Sequence, residues 1–246
     1  MTMQDASKRV ALITGANKGI GFEVARSLGE AGLTVLLGAR DAGRGEEAAK
    51  KLRDQGFDAR FLHIDVAQSE TIKAAAATIG AEFKRLDVLV NNAGIIDRAD
   101  GPPSTADVGA VRRVFETNFF GALEVTQAML PLLKASSAGR IVNVSSGLGS
   151  LALNADPASP FAAFKIIGYN ASKAALNMLT VQLAYELRDA GIKVHSADPG
   201  YTATDLNGNS GTQTIEEGAR ETIRLALLPA DAPTGGYSSK DGPVPW

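Results

Sequence analysis

The chain has 246 residues, 45% hydrophobic and 21% charged, with 26 Gly and 10 Pro, the make-up of a globular protein with a sizeable core. A formal net charge of -2, with no long run of like charges, provides no field for nucleic acid or an acidic membrane and directs attention to small-molecule chemistry. Without cysteine there is no disulfide, thiolate nucleophile or thiolate-bound metal.

The two histidines, His63 and His195, fall in strand-like segments and make a poor zinc site, so no metal is expected. No apolar stretch reaches the roughly 18 residues that span a bilayer. Residues 1–8 are polar, unlike the centre of a secretion signal, so a cytoplasmic protein is expected.

In chain order, a strand over 9–14 runs into Thr14-Gly15-Ala16-Asn17-Lys18-Gly19-Ile20-Gly21 and then a helix over 19–31. Glycines in such a turn let the backbone approach a pyrophosphate, and the helix N-terminus offers free amides with a partial positive charge. Gly15, Asn17, Lys18, Gly19, Ile20 and Gly21 are therefore candidate phosphate contacts. The spacing Gly-x-x-x-Gly-x-Gly departs from the more familiar Gly-x-Gly-x-x-Gly, which leaves an ordinary glycine turn open as the alternative.

The next strand, 34–39, ends at Arg40. In dinucleotide folds an acid at this point holds the adenosine ribose, whereas an arginine accommodates a 2′-phosphate. Arg40, with Lys18 on the other side, points to NADPH over NADH; Asp41 beside it either weakens or orients the guanidinium.

A helix over 46–55, a strand over 59–64, a helix over 69–83 and a strand over 88–91 follow. Next come a helix over 107–133, a strand over 140–145, a helix over 169–190 and a strand over 193–198. Short β-branched runs alternating with helical periods predict an α/β fold. The expected architecture is a Rossmann-type doubly wound parallel sheet in three layers, one domain over 1–246, with ligands at the carboxyl ends of the strands.

Two stretches break the rhythm. Residues 147–168 mix Ala, Ser, Pro and apolar residues without a period, and 205–218 are rich in Gly, Asn and Thr. Long loops in a compact domain tend to be functional, so the first is expected to form a substrate-pocket insertion and the second a lid. The second stretch is followed by no further predicted element.

Within the helix over 169–190, Tyr169 and Lys173 lie four residues apart and share a face. A neighbouring cation favours the phenolate, which predicts a phenol drawn down from its usual value near 10 toward the range of proton transfer.

Taken together, these positions resemble the short-chain dehydrogenase/reductase family over nearly the whole chain. The resemblance rests on the glycine turn, Asp65-Val66, Asn91-Asn92-Ala93-Gly94, Asn118, Ser145-Ser146, Tyr169 with Lys173, and Pro199-Gly200. It implies that Tyr169 is the proton donor to a carbonyl oxygen and that Lys173 lowers its pKa and holds the nicotinamide ribose. Ser146 would polarise the same oxygen and Asn118 anchor a water-linked proton path. Asp65, followed by Val66, falls to the adenine, Asn92 to the cofactor ribose, and Thr202 and Thr204 to the carboxamide and pyrophosphate beside Pro199 and Gly200. Asn91 would support the sheet, and Ser145, pointing away, would bond within the core.

Ser146 and Tyr169 are 23 residues apart, a longer gap than in many members of the family. The added loop carries Leu148, Leu151, Leu153, Phe161, Phe164, Ile166 and Ile167 with Lys165, and it either covers a pocket mouth or serves as packing. This loop and the Lys18–Arg40 pair resemble the carbonyl-reductase branch, which implies NADPH-dependent reduction of an aldehyde or ketone to the alcohol. The loop would also cover helices that pair in dimeric members, favouring a monomer over a homo-oligomer. A 3-oxoacyl or hydroxysteroid oxidoreductase and a non-catalytic NADPH sensor are the alternatives. No Gly-x-Ser-x-Gly elbow supports a serine hydrolase.

Overall fold

The computed structural model describes residues 8–246. Six apolar runs form parallel strands: β1 (Val10–Thr14), β2 (Thr34–Ala39), β3 (Ala59–His63), β4 (Val88–Asn91), β5 (Arg140–Val144) and β6 (Lys193–Asp198). Two shorter strands, β7 (Tyr237–Ser239) and β8 (Gly242–Pro243), extend the edge, giving the order β3-β2-β1-β4-β5-β6-β7-β8 with only β8 antiparallel. Strands β1, β2, β4 and β5 are buried along their whole length, as expected of strands covered on both faces.

The eight helices are α1 (Gly19–Glu30), α2 (Ala42–Arg53), α3 (Ser69–Glu82), α4 (Val108–Phe115), α5 (Ala122–Lys134), α6 (Leu151–Ala155), α7 (Ile167–Glu186) and α8 (Ile215–Ala226). Side chains alternate along β1, with Leu12 in one core and Ile13 in the other. The first core joins the sheet to α3, α5 and α7; the second joins it to α1, α2 and α8. These are the three layers of a doubly wound fold. The strand order reverses between β1 and β4, which opens a crevice at their carboxyl ends.

Several elements differ from the sequence expectations for local reasons. Helix α2 begins at Ala42 because the Asp41 carboxylate accepts the Arg44 amide (2.9 Å) and caps it. The helix expected over 107–133 is interrupted by a π-helical turn (Glu116–Gly121). A side chain at Gly121 would meet the Val66 carbonyl, so the widened turn lets the chain pass the loop after β3.

The stretch 205–218 is a loop only as far as Thr214, where a reciprocal cap between Thr214 and Glu217 starts α8. The stretch 147–168 holds two 3-10 turns, the short helix α6 and the first two residues of α7.

Candidate active site

The glycine turn after β1 is laced to the loop after β4. Thr14 Oγ1 accepts the amides of Asn92 and Ala93 (3.0 Å each), and Asn92 Nδ2 donates to the carbonyls of Thr14 (2.8 Å) and Gly15 (3.2 Å). Gly15 has φ +65°, and a Cβ at Gly21 would lie 2.4 Å from Asn92 Nδ2, so both positions require glycine. Helix α1 has no side-chain cap at Lys18, leaving its first amides for an anion.

A groove of about 800 Å³ opens over this turn. Gly15, Asn17, Lys18, Gly19, Ile20 and Gly21 line it, together with Arg40, Asp65, Val66 and Asn92. Tyr169, Lys173 and Pro199 also line it, and Thr204 stands over the turn, its Cγ2 3.8 Å from where a Cβ at Gly19 would be. Asp41 is engaged as the α2 cap and pairs with Arg44 (3.2 Å), so it neither pairs with nor orients Arg40. Lys18 meets Asp205 across the groove (2.6 Å), which holds that carboxyl below the usual range. Both side chains are more than half exposed, so the pair exchanges readily for another partner.

At the inner end, α7 presents Tyr169 and Lys173, both buried. Lys173 Nζ donates to the Val144 carbonyl (2.8 Å) and lies 5.6 Å from the centre of the Tyr169 ring. Here the sequence expectation is corrected. Burial pushes the phenol up to about 12, partly countered by the Ser146 hydroxyl, and burial lowers Lys173 to about 8. The cation lies over the ring and bonds to a carbonyl, and it does not draw the phenol down.

Ser145 is buried, with its amide bonded to the Ala197 carbonyl (2.7 Å) and its hydroxyl beside the Tyr237 phenol, the core bonding expected of it, and it also lines the groove. Ser146 is half-buried beside the Tyr169 phenol; its Oγ accepts the Leu148 amide (3.2 Å), and it is not part of the groove wall.

Asn118 is buried in the π-helical turn. Its Oδ1 accepts the Ile95 amide (2.8 Å), and its Nδ2 donates to the Ile95 carbonyl (3.0 Å) and Ser172 Oγ (3.1 Å). Gly94 lies between it and the lysine; a Cβ there would be 3.4 Å from Asn118 Oδ1 and 3.5 Å from Lys173 Nζ. Asn91 Nδ2 bonds to Thr126 Oγ1 and Asn143 Oδ1 inside the sheet, the supporting place expected of it.

Two expected cofactor contacts do not reach the groove. Thr202 is buried, with Oγ1 donating to the Pro199 carbonyl (2.9 Å) and its side chain against Gly218. Gly200, at φ +68°, faces a second cavity on the far side of Pro199. A residue the sequence did not suggest stands out. Asp100, in the loop after β4, accepts the amides of Gly168 and Tyr169 (2.9 Å each), and the Gly101 carbonyl accepts that of Ile167 (3.0 Å). The cap of α7 thus comes from 68 residues upstream, beyond the reach of any local capping pattern.

A family model described as short chain dehydrogenase matches residues 9–214. The short-chain dehydrogenase anuI of Penicillium roqueforti (strain FM164) is 40% identical over 230 residues, covering 91% of this chain and 90% of that protein. Carbonyl reductase (NADPH) 1 of Sus scrofa is 35% identical over 280 positions, covering 98% and 95%. Those 280 positions exceed the 246 residues here, so the porcine enzyme carries segments without a counterpart in this chain. Among solved structures, the NADPH-bound carbonyl reductase from chicken fatty liver superposes with a TM-score of 0.85 at 30% identity, covering 97% of this chain and 99% of that one. With the family model spanning both the glycine turn and the Tyr169–Lys173 helix, the chain belongs to the short-chain dehydrogenase/reductase family, oxidoreductases that act on carbonyl or alcohol groups.

Proposed function

We propose that the protein reduces an aldehyde or ketone to the alcohol with NADPH, reversibly, and that Tyr169 donates the proton. The observation that carries this reading is the buried Tyr169–Lys173 pair at the inner end of a groove floored by a glycine turn. The groove fits NADPH: uncapped α1 amides for the pyrophosphate, Asp65 and Val66 beside the adenine, and Lys18 and Arg40 for a 2′-phosphate. The relatives named for NADPH support the same choice.

When bound, the cofactor supplies a hydride to the carbonyl carbon. The chain's own task is the charge left on oxygen. A phenol raised to about 12 is fully protonated at neutral pH, as a donor must be, and the nascent alkoxide is a far stronger base than phenolate. Ser146, beside the phenol, would hydrogen-bond the same oxygen. Lys173, held by the Val144 carbonyl, would keep its ammonium near the phenolate as it forms and bond the nicotinamide ribose. Asn118 and Gly94 would line the route by which a water returns the proton.

Asn92 ties the glycine turn in place, and Thr204, with the loop to Thr214, would form the lid. The apolar insertion over 147–168 would wall the substrate side. Cofactor consumption with a panel of aldehydes, ketones and diketones, with NADPH and NADH in parallel, tests the reading. Preference for NADPH supports it, and no turnover on any carbonyl despite tight NADPH binding refutes it.

A further inference from the structure

Behind Pro199, which lines both cavities, a second cavity of about 380 Å³ lies between the insertion, the end of β6 and the C-terminal tail. That is the size of a small-ligand site. Its walls are apolar at Leu153, Phe161, Pro243 and Val244. Its charged groups are two carboxylates, Asp198 and Asp241, against one ammonium, Lys240, while Tyr201, Ser239 and Gln213 can each donate as well as accept. Asp198, the last residue of β6, is only 8% exposed, and its Oδ1 accepts the Gly200 amide (2.9 Å). Among the described residues the one cation of the wall, Lys240, pairs with the exposed Asp241 (2.9 Å) and so does not sit on Asp198. Gln213 lines the same cavity with Oε1 buried and unpartnered.

The insertion closes over this carboxylate. A Cβ at Gly147 would stand 2.6 Å from the Phe161 ring and 3.2 Å from Asp198 Oδ2, so ring, glycine and carboxylate share one corner. Leaving a carboxylate dry without a counter-ion is unfavourable, and burial raises its pKa above the usual range, with the Asp241 charge adding to the shift. A cation entering from the substrate side would relieve both effects, and the apolar walls would take the body that carries it.

Building on the reductase reading, we infer that this cavity is a substrate subsite for a protonated amine on an apolar carbonyl compound, with Asp198 as counter-ion and Gln213 Oε1 as second acceptor. The site thereby selects among ketones according to a group remote from the reacting carbon.

The test uses acetophenones whose para side chains of one to three methylenes end either in dimethylammonium or in the isosteric isopropyl group. Binding to the NADP⁺-saturated enzyme is measured by calorimetry, and turnover is measured separately with NADPH. The wild type is expected to bind at least one ammonium ketone roughly tenfold or more tightly than its isostere. Asp198→Asn is expected to abolish that preference, and Gln213→Leu to reduce it. The inference is overturned if the wild type shows no preference at any length, or if Asp198→Asn keeps it. Should the asparagine variant not fold, the wild-type preference and its reduction in Gln213→Leu decide the matter, an unreduced preference overturning the inference. A clear binding preference without turnover of any ketone would leave the subsite standing and refute the reductase reading; turnover without preference does the reverse.

Discussion

The hold of Asp100 on α7 can be tested directly. The first three amides of that helix have no local side-chain cap: Ile166 provides none, and Asp100 and Gly101 bind them from another loop. Replacing Asp100 with alanine removes two charge-assisted bonds at a helix N-terminus, where a carboxylate also benefits from the peptide dipoles. Loss of a cap costs about 1 to 2 kcal/mol, and at about 2 to 4 °C per kcal/mol for a chain of this size the melting midpoint should fall by roughly 2 to 8 °C.

The effect on rate should exceed the effect on fold. Tyr169 is the third residue of the helix, so fraying its first turn moves the proton donor itself. We expect kcat of Asp100→Ala to drop about tenfold at 20 °C with KM for NADPH little changed, and Asp100→Asn, which keeps one acceptor, to fall between. Steady-state kinetics well below the melting midpoint, with circular dichroism to establish folding, measure both. A variant that melts lower yet keeps kcat within about twofold would show that Asp100 supports the fold alone and does not position Tyr169.

Further predictions concern the groove and the buried pair. Tyr169→Phe should abolish turnover while nicotinamide fluorescence still reports NADPH binding; full turnover would remove Tyr169 from the donor role. Arg40→Asp should reverse the NADPH over NADH preference in kcat/KM by at least about tenfold, since a 2′-phosphate would then face an acid. Asp205→Asn should free Lys18 and tighten NADPH at low salt, with the gain fading as salt is added; equal affinities would mean that Lys18 does not meet the phosphate. Burial lowers Lys173 to about 8 in the folded state against its ordinary 10.5, so between those values the unfolded chain binds more protons and stability climbs with pH. Tyr169, raised from 10.0 to about 12, acts in the opposite sense above pH 10. Urea unfolding of the cofactor-free protein at pH 7.5 and 9.5 should therefore show greater stability at the higher pH. Lys173→Met should remove a rise of order 3 kcal/mol over the whole interval, and an unchanged slope would refute the burial argument.

What the sequence made legible follows from where each signal is stored. β2 and β4 match the expected bounds residue for residue because a strand covered on both faces has to be an apolar run, and such runs are short and bounded; β6 matches too, although only Val194 and Ala197 of its six residues are apolar. Helix α2 was started late because its opening, Ala42-Gly43-Arg44-Gly45, has poor helix propensity; Gly45 is needed where the helix passes Phe61, whose ring would lie 2.3 Å from a Cβ there. The break in the 107–133 helix left no mark in propensity, because the π-helical turn answers to Val66 on another element. Strands β7 and β8 are too short to produce a period; pairing with β6 makes β7 a strand, and pairing with β7 makes β8 one.

The site divides along the same line. Groove-lining residues close to a strand end, such as Gly15, Gly21, Asp65 and Pro199, are legible because the strand that positions them is legible. Residues acting through a partner distant in sequence were not. Thr202, bonded to the nearby Pro199 carbonyl, is turned inward against Gly218, which its own segment does not foretell. Asp198 directly precedes a recognised Pro-Gly pair, yet nothing in sequence says that Phe161 will seal it from solvent. Electrostatics was the least legible part. The four-residue offset of Tyr169 and Lys173 suggests a cation lowering a phenol, but that holds only where charge outweighs desolvation. In this chain both groups are buried, the ammonium is engaged by the Val144 carbonyl, and desolvation dominates both pKa shifts. A helix face can be read from spacing, but a dielectric depends on what the rest of the fold packs around it.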